Sequence, residues 1–334
     1  MSKSPLEPGI RAPDFALPCP SGNPVRFYGH AGGIPCILIF AEQSHSLIVE
    51  KFVQDLTSAS NVRVNFFGII PYKSNSSDSA QFSFETFTEP ECAVSSPYGV
   101  AGNKPSLFVL DENLRIVSWH QLDEPKSVAR AVTQQLAKTA CDDGCQLIAR
   151  PAPILIIPRV LDENWCAELI STWHRDGAEP TGIESSLGGQ RINIIEENAK
   201  RRKDCVVSEP KLLKKLSSSL GRRIIPEVQK VFAYRATQFE GFKIVRYEFS
   251  EGGFFHAHRD NLSPTTVHRK FGLTVNLNAN FEGGQLRFPE YGNSLYSPNS
   301  GEALLFSCSL LHEVLSVTQG QRFSLLSFLF DSSK

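Results

Sequence analysis

The chain has 334 residues, a formal net charge of −1, 41% hydrophobic residues and 21% charged residues. The near-zero charge argues against an overall basic field for nucleic acid or an anionic membrane, and the length predicts two domains rather than one core. Because no apolar leader or membrane-length apolar run is seen and the eight cysteines are scattered, we expect reduced thiols in a cytoplasmic protein without nucleic-acid or membrane partners.

The first 140 residues alternate short apolar runs with amphipathic stretches. Buried strands are predicted at 35–40, 65–70 and 106–111, and helices at 47–56 and 127–137. The apolar stripe of the first helix includes Leu47, Val49, Phe52, Val53 and Leu56. Strands that alternate with helices predict an α/β sheet with helices on its faces.

Three segments of this half resemble the thioredoxin-fold peroxiredoxins: 12–15 (Ala-Pro-Asp-Phe), 98–100 (Tyr-Gly-Val) and 105–111. That family carries its reactive Cys in the turn that follows the strand predicted here at 35–40. In this chain the turn, residues 41–46, reads Ala-Glu-Gln-Ser-His-Ser and contains no Cys. Cys36 falls inside the predicted strand, where a thiol is buried and inert. We therefore expect residues 1–140 to be a thioredoxin-like domain without peroxidase activity, retained for docking a substrate or for homo-oligomerisation. A thiol or peroxide redox protein is the alternative.

A polar segment with Cys141 and Cys145 predicts the link to a second domain at 151–334. With no further Cys or His nearby, the pair is interpreted as two linker thiols, and metal binding or cross-linking under oxidation is the alternative. A strand is predicted at 154–158 and a helix after Asp162, which can cap it. A second helix is predicted at 210–232.

The densest basic run of the chain is 200–203, Lys-Arg-Arg-Lys. It is interpreted either as a solvated face or as a recognition site for an acidic group on a substrate or carrier.

Two short motifs near the C-terminus carry the chemistry. The first contains His258 and Asp260, two apart and thus on one face of a strand, and the second contains His312. Two imidazoles and one carboxylate are the ligand set of a non-haem Fe(II) site. The neighbouring His256 is interpreted as a residue that packs beside the site or supports its ligands, and a metal-ligand role is the alternative.

The segments 314–317 and 322–330 are predicted to be two strands joined by a turn at 318–320. That hairpin would place Arg322 opposite Leu315, on the order of 10 Å from His312. A five-carbon dicarboxylate that chelates a metal at His312 would present its far carboxylate at about that reach, where a guanidinium can bond it twice. Ser324, on the same strand face as Arg322, is predicted to donate a further hydrogen bond. These features favour a 2-oxoglutarate site.

Residues 152–330 resemble the Fe(II)/2-oxoglutarate-dependent oxygenases of the prolyl-4-hydroxylase-like branch. The matching segments are 152–155, 166–170, 246–247, 258–260, 277–278, 282–286 and 312–322. The resemblance implies a double-stranded β-helix (jelly-roll), so the predicted fold class is α/β plus mainly-β, with supporting helices. It implies His258, Asp260 and His312 as iron ligands and Arg322 as the co-substrate anchor.

The same resemblance places Tyr247 against the co-substrate. Thr274 and Asn276 share a face of a predicted strand at 273–278 and are further candidate contacts, although some relatives carry Tyr at the position of Asn276.

The activity that the resemblance implies is hydroxylation of a C–H bond with Fe(II), 2-oxoglutarate and O2, releasing succinate and CO2. Ascorbate is a candidate additional cofactor. Asp260 favours hydroxylation over halogenation, because halogenating relatives replace that carboxylate. A prolyl or other amino-acid-derived group, in a peptide or a small molecule, is the leading substrate hypothesis. A non-catalytic two-domain binding protein is the second alternative.

Overall fold

The structure, a computed structural model, describes residues 6–18, 24–59, 63–71, 82–100, 104–139, 150–181, 183–187, 190–194 and 198–332. The chain divides into two compact units, Met1–Cys145 and Gln146–Lys334. The predicted pair Cys141 and Cys145 lies outside the described residues. Within the described part, no helix has both the length and the apolar character needed to cross a membrane.

The described residues of the first unit form seven strands and three α-helices. They are β1 (Ala16–Pro18), β2 (Pro24–Arg26), α1 (Phe27–His30), β3 (Cys36–Phe40), α2 (Ser46–Ala59), β4 (Asn65–Pro71), β5 (Glu85–Glu89), β6 (Ser106–Leu110), β7 (Ile116–Gln121) and α3 (Pro125–Thr139).

Five of these strands form one sheet in the order β5-β4-β3-β6-β7, with β3, β4 and β5 parallel and β6 antiparallel to both β3 and β7. Ile37 and Ile39 face α2 and α3, whereas Leu38 and Phe40 face a second cluster that includes Phe27. Because both faces are covered, every residue of β3 is buried.

This strand order, with α2 and α3 on one face of the sheet and Phe27 of α1 on the other, is a thioredoxin-like arrangement and confirms the predicted α/β class of this unit. The prediction for the apolar stripe of α2 is wrong at Leu47, whose side chain is 87% exposed. Leu47 is the second residue of the helix, and the buried positions Val49, Phe52 and Leu56 define the face that packs on the sheet.

In the second unit, the residues that the structure describes form sixteen strands and two α-helices. They are β8 (Ile154–Ile157), α4 (Glu163–Asp176), β9 (Glu179–Pro180), β10 (Ile183–Leu187), β11 (Gln190–Ile194), β12 (Lys200–Arg201), β13 (Lys203–Val206), α5 (Pro210–Phe232), β14 (Gln238–Phe239), β15 (Lys243–Glu248), β16 (Phe254–His258), β17 (Phe271–Asn276), β18 (Phe281–Gly283), β19 (Leu286–Arg287), β20 (Leu295–Tyr296), β21 (Ala303–Ser307), β22 (His312–Val314) and β23 (Val317–Phe330).

Two antiparallel sheets make up most of this unit. The larger has the path β8-β21-β17-β23-β15-β13-β9, and the smaller has the order β12-β16-β22-β19-β20. Between them lies an apolar cluster that contains Val245 and Phe306 of the larger sheet with Leu286 and Val314 of the smaller. Two facing antiparallel sheets around one core form the predicted jelly-roll.

The opposite face of the larger sheet is covered by α4 and α5. Alternate strand residues such as Ile244 and Leu325 pack with Leu216 and Ile224 of α5. The predicted helix cap is confirmed, because the Asp162 carboxylate accepts a hydrogen bond of 2.9 Å from the Trp165 backbone N–H. The helices thus support the sheet from outside and leave its inner face for the site.

The predicted hairpin over 314–330 is wrong. β22 pairs with β16 and β19 in the smaller sheet, whereas β23 pairs with β15 and β17 in the larger. Residues 318–320 continue β23 instead of turning, because they pair with β18 at Gln319 and Gly320. Arg322 consequently lies opposite Tyr247, not opposite Leu315.

Candidate metal and co-substrate site

The metal ligands predicted from the sequence come together where two neighbouring strands of the smaller sheet, β16 and β22, have their ends. His258, the last residue of β16, lies directly opposite His312, the first residue of β22. Asp260 lies in the turn after β16 rather than in the strand, and its backbone N–H donates to the Cys308 carbonyl at 3.0 Å. One ligand atom from each of the three residues lies within 4.8 Å of the other two.

Hydrogen bonds fix which imidazole nitrogen faces the centre of this group. Nδ1 of His258 lies 2.7 Å from the His256 carbonyl, and Nδ1 of His312 lies 3.0 Å from the Leu310 carbonyl. Since a carbonyl only accepts, each Nδ1 carries the hydrogen and each Nε2 keeps its lone pair. The two Nε2 atoms lie 3.5 and 3.4 Å from different oxygens of the Asp260 carboxylate.

Aromatic rings hold the imidazoles in place. The Phe255 ring stacks on His258 with 3.5 Å between centroids, and the Phe306 ring lies 4.4 Å from that of His312. Gly272 leaves space beside them, because a Cβ there would lie 2.9 Å from the Phe306 ring and 3.3 Å from Asp260 Oδ2. The sequence analysis did not single out Gly272, since its role depends on a neighbouring strand.

Burial and charge favour the metal-binding forms of these groups. Burial alone would raise the pKa of Asp260, but the imidazoles of His312 and His258 and the guanidinium of Arg269 outweigh it and lower this pKa to about 2. Burial lowers the pKa of His312 below its ordinary value. At neutral pH the site therefore offers a carboxylate and a neutral imidazole.

The donor set fits Fe(II). Two imidazole nitrogens and one carboxylate oxygen on one side of an ion form the facial arrangement that leaves positions open for other ligands. Among the described residues, no second group of three His, Cys, Asp or Glu side chains has this spacing.

Arg322 is a buried cation on the inner face of β23, with 2% of its surface exposed. Its Nη2 and Nε donate to the Asn276 amide oxygen at 2.8 and 3.2 Å, and the Ser324 hydroxyl donates to the same oxygen at 3.2 Å. Burial lowers the pKa of Arg322 to about 10. In the described part of the chain, no carboxylate forms an ion pair with this guanidinium.

Tyr247 lies over the guanidinium of Arg322, with 5.6 Å from its ring centroid to Cζ. The Tyr247 hydroxyl accepts a hydrogen bond of 3.2 Å from Arg202, which also binds both oxygens of the Asp204 carboxylate, at 2.7 and 2.8 Å. Gly284, at φ +66°, packs against Arg322, because a Cβ would lie 3.0 Å from its Cδ.

One cavity of about 780 Å³ connects these groups. It is lined by the three candidate ligands and by Tyr247, Thr274 and Arg322. Asn276 and Ser324 do not line it, because they lie behind Arg322 and hold its guanidinium.

Other residues weighed in the sequence analysis take different positions. The His256 side chain is exposed and its ring lies 4.4 Å from that of Phe254, as expected for a packing residue, and only its carbonyl contacts His258. Lys200 and Arg202 of the basic run line the cavity, which excludes a purely solvated face for that run. Lys200 is in β12 and Arg202 lies between β12 and β13, and their spacing of two residues could have indicated from the sequence that both point to the same side.

The pattern of the 2OG-Fe(II) oxygenase superfamily matches residues 242–330. The chain is 29% identical over 196 residues to the multifunctional procollagen lysine hydroxylase and glycosyltransferase of Rattus norvegicus, covering 56% of this chain and 25% of that protein. It is 28% identical over 192 residues to procollagen-lysine,2-oxoglutarate 5-dioxygenase 1 of Mus musculus, covering 55% and 25%. The chain thus spans about a quarter of the length of these curated relatives.

Two solved structures are similar to parts of this chain. A Pseudomonas putida prolyl-4-hydroxylase is 16% identical, with a TM-score of 0.42, and 55% of this chain and 94% of that chain are covered. A putative thiol:disulfide interchange protein DsbE from Chlorobium tepidum is 20% identical, with a TM-score of 0.32 and coverage of 40% and 98%. We assign the fold from strand order and packing, and the family from the sequence match at residues 242–330. The C-terminal region of this chain contains a domain of the 2OG-Fe(II) oxygenase superfamily.

Proposed function

We propose that this chain is an Fe(II)- and 2-oxoglutarate-dependent dioxygenase that hydroxylates a C–H bond of an amino-acid-derived substrate and releases succinate and CO2. The observation that carries the proposal is Arg322, a buried guanidinium without a carboxylate partner among the described residues, on the same cavity as two imidazoles and a carboxylate. A buried cation such as this guanidinium requires an anion beside it, because burial removes the water that would otherwise stabilise its charge. The co-substrate supplies one.

His258, Asp260 and His312 would hold the iron, which when bound supplies oxidation of the 2-oxo acid by O2 and oxygen transfer to the substrate. Arg322 would bind the far carboxylate of 2-oxoglutarate through its guanidinium, whose position Asn276 and Ser324 fix.

Tyr247 and Thr274 form part of the cavity wall beside this anchor, and each carries a hydroxyl. The Phe255 and Phe306 rings keep the imidazoles oriented and limit water around them. Asn276, Ser324 and Arg202 act as positioning residues, because each contacts Arg322 or Tyr247 rather than the iron ligands.

The curated relatives are named for lysine hydroxylation. The motifs of residues 152–330 resemble those of prolyl hydroxylases. Both support an amino-acid-derived substrate, in a peptide or a small molecule. The domain limits 1–140 and 151–334, a docking or oligomerisation role for the first domain, and a cytoplasmic location are parts of the same proposal.

The test compares metal binding and succinate formation in matched variants. His258→Ala should abolish Fe(II) binding, whereas His256→Ala should preserve it, because the exposed His256 side chain contacts no ligand and the backbone carbonyl remains. Arg322→Gln should preserve Fe(II) binding and weaken 2-oxoglutarate binding about 100-fold, since a charge-assisted pair is lost in a buried site. Equal succinate formation by all variants would refute the proposal.

A further inference from the structure

Asp260 is held differently from the other two candidate ligands. His258 and His312 lie opposite each other on paired strands of the smaller sheet, whereas Asp260 lies in the turn after β16. The hydrogen bonds of a strand ladder therefore do not fix its position. Its backbone N–H donates to the Cys308 carbonyl at 3.0 Å, and its own carbonyl accepts a hydrogen bond from Arg269. The orientation of this carboxylate depends on how these contacts hold the turn.

Arg269 is a buried cation beside the turn, with 4% of its surface exposed. Its Nη1 donates to the Asp260 carbonyl in a long hydrogen bond of 3.4 Å. Its Nε and Nη2 donate to the two carboxylate oxygens of Glu240, each at 2.7 Å. Its Cζ lies 3.9 Å from the centroid of the Phe328 ring. The guanidinium is thus held by a carboxylate and an aromatic ring, with Nη1 directed at the turn.

The ion pair of Arg269 and Glu240 is anchored to the larger sheet. The Glu240 backbone N–H donates to the Phe328 carbonyl of β23 at 2.9 Å. The residue that follows the arginine, Lys270, donates from its backbone N–H to the Leu329 carbonyl of the same strand at 3.0 Å. Both halves of the pair are therefore tied to β23 through the backbone. The pair connects a turn that follows a strand of the smaller sheet to the larger sheet.

The charge of this pair also suits a metal site. A guanidinium near the metal ligands would by itself repel a divalent cation. Glu240 offsets that repulsion, because its carboxylate binds the guanidinium at two points where the two side chains are only 19% and 5% exposed. Arg269 can therefore orient the turn that carries Asp260 at a reduced electrostatic cost to metal binding.

The ion pair lies away from the co-substrate anchor. Arg269 and Glu240 line the same cavity as Arg322, and so does Phe328. Phe328 and Arg322 are six residues apart on β23, which places them on one face of the strand and roughly 20 Å apart along it. Changes in the ion pair are therefore expected to alter metal binding without removing the guanidinium that would bind 2-oxoglutarate.

We propose that Arg269, oriented by Glu240, is a positioning residue that holds the turn carrying Asp260. The carboxylate is thereby kept facing the two imidazoles of the candidate metal site. This inference rests on the proposed function, because it takes Asp260 as a metal ligand. It extends that function by naming the residues that keep in place a ligand outside the strand ladder.

Ni(II) binding to the full chain, measured by isothermal titration, tests the inference. Ni(II) is suited to this comparison because nitrogen and oxygen ligands bind it more tightly than Fe(II). Arg269→Gln should weaken Ni(II) binding about 10- to 100-fold, as is typical when a group that orients a metal ligand is removed. Glu240→Gln should weaken it in the same direction, which keeps the test valid if Arg269→Gln folds poorly.

Arg269→Lys separates geometry from charge. An ammonium keeps the positive charge but lacks the planar fork that reaches Glu240 and Asp260 together. We therefore expect Arg269→Lys to bind Ni(II) more weakly than the wild type.

Arg246→Gln is the matched control. Arg246 lies in β15, with its Nη2 2.9 Å from Glu251 Oε1 and its Cζ 4.7 Å from the centroid of the Trp173 ring in α4. It therefore also forms an ion pair over an aromatic ring, but it does not line the cavity. Its Ni(II) affinity should equal that of the wild type. Thermal unfolding of the metal-free variants checks that each one folds.

Asp260→Ala supplies a readout that a merely structural role of Arg269 would not move. The two imidazoles remain in this variant and should still bind Ni(II), more weakly than in the wild type. If Arg269 acts through the Asp260 carboxylate, Arg269→Gln should no longer weaken Ni(II) binding when it is added to Asp260→Ala.

Wild-type Ni(II) affinity in both Arg269→Gln and Glu240→Gln would overturn the inference, and so would wild-type affinity in Arg269→Lys. An equal weakening by Arg269→Gln with and without the Asp260 carboxylate would also overturn it. The proposed function would survive each of these results. If His258→Ala and Asp260→Ala bind Ni(II) as tightly as the wild type, the metal site itself is refuted, and the proposed function falls together with this inference.

Discussion

Arg322 and Asn276 are joined by two hydrogen bonds to one amide oxygen, with Nη2 at 2.8 Å and Nε at 3.2 Å. The amide nitrogen of Asn276 donates in turn to the Pro298 carbonyl at 2.6 Å, which fixes the side-chain orientation. The guanidinium is therefore positioned by a neutral group, and its charge is left for a ligand.

Asn276→Asp tests this arrangement. A carboxylate at the position of the amide oxygen would neutralise Arg322, so we expect the Kd for 2-oxoglutarate to rise about tenfold or more while metal binding is unchanged. Titration of the Mn(II)-loaded protein under anaerobic conditions measures both.

Asn278→Asp is the matched control for that change. It adds the same charge two residues further along. Asp there keeps the bond that the Asn278 oxygen accepts from the Phe323 backbone N–H at 2.9 Å, and it loses the bonds that the amide nitrogen donates to Asn280 and to the Gln321 carbonyl. Its 2-oxoglutarate affinity should equal that of the wild type. If Asn276→Asp bound 2-oxoglutarate as tightly as the wild type, Arg322 would not be the group that binds the co-substrate.

Metal affinity should depend on pH in a defined direction. A metal competes with protons for the imidazole nitrogens and the carboxylate. Because the pKa of His312 lies below its ordinary value of 6.5 and that of Asp260 is about 2, neither residue binds a proton at neutral pH. Lowering the pH from 8 to about 7 should therefore change Mn(II) affinity little through these two groups, and the affinity should fall as the pH decreases further.

Isothermal titration with Mn(II) in buffers of different pH measures this dependence. A steep loss of affinity already above pH 7 would contradict the expected protonation state of His312.

Gly301 is a position where the fold requires glycine. Its φ is +77°, and a Cβ would overlap the Leu161 carbonyl oxygen. Its own N–H and carbonyl connect the end of β17 at Asn276 to Val160 and Leu161 before α4. We expect Gly301→Ala to lower the free energy of unfolding by about 3 kcal/mol or more, since backbone strain and a steric clash add.

Gly177→Ala separates those two effects. Gly177 has φ +80°, but a Cβ there would meet nothing within 4 Å. Gly177→Ala should therefore lower the free energy of unfolding by only roughly 1–2 kcal/mol, from backbone strain. Urea unfolding followed by tryptophan fluorescence compares the variants. If Gly301→Ala lowered the free energy of unfolding no more than Gly177→Ala does, the expected clash with the Leu161 carbonyl would be refuted.

The thiols of the first unit should differ in reactivity. Burial, with a further contribution from Asp111, raises the pKa of Cys36 to about 12, and Cys36 is fully buried in β3. Cys92 is exposed. Native alkylation with iodoacetamide at neutral pH, read by peptide mass spectrometry, should modify Cys92 and leave Cys36 unmodified until the protein is unfolded.

Labelling of Cys36 at the rate of Cys92 would refute the assignment of Cys36 as an inert core thiol. It would also revive the alternative of a thiol redox protein.

The sequence determined the features that depend on residue type and short spacing. His258, Asp260 and His312 were identifiable by their chemistry, and the helix Pro210–Phe232 has the predicted limits because its apolar residues recur at the helical period. The capping role of Asp162 was also local, since the bond joins residues three apart.

Tertiary structure decided what depends on strand pairing between distant segments. β22 and β23 are consecutive in sequence yet belong to different sheets, so Arg322 faces Tyr247 and not Leu315. Pairing of β17 with β23 put Asn276 beside Ser324, behind Arg322, and pairing of β12 with β16 brought Lys200 to the cavity. The physical reason is that hydrogen bonds and burial across a sheet join residues far apart in the chain, and local periodicity does not specify which strand becomes the neighbour.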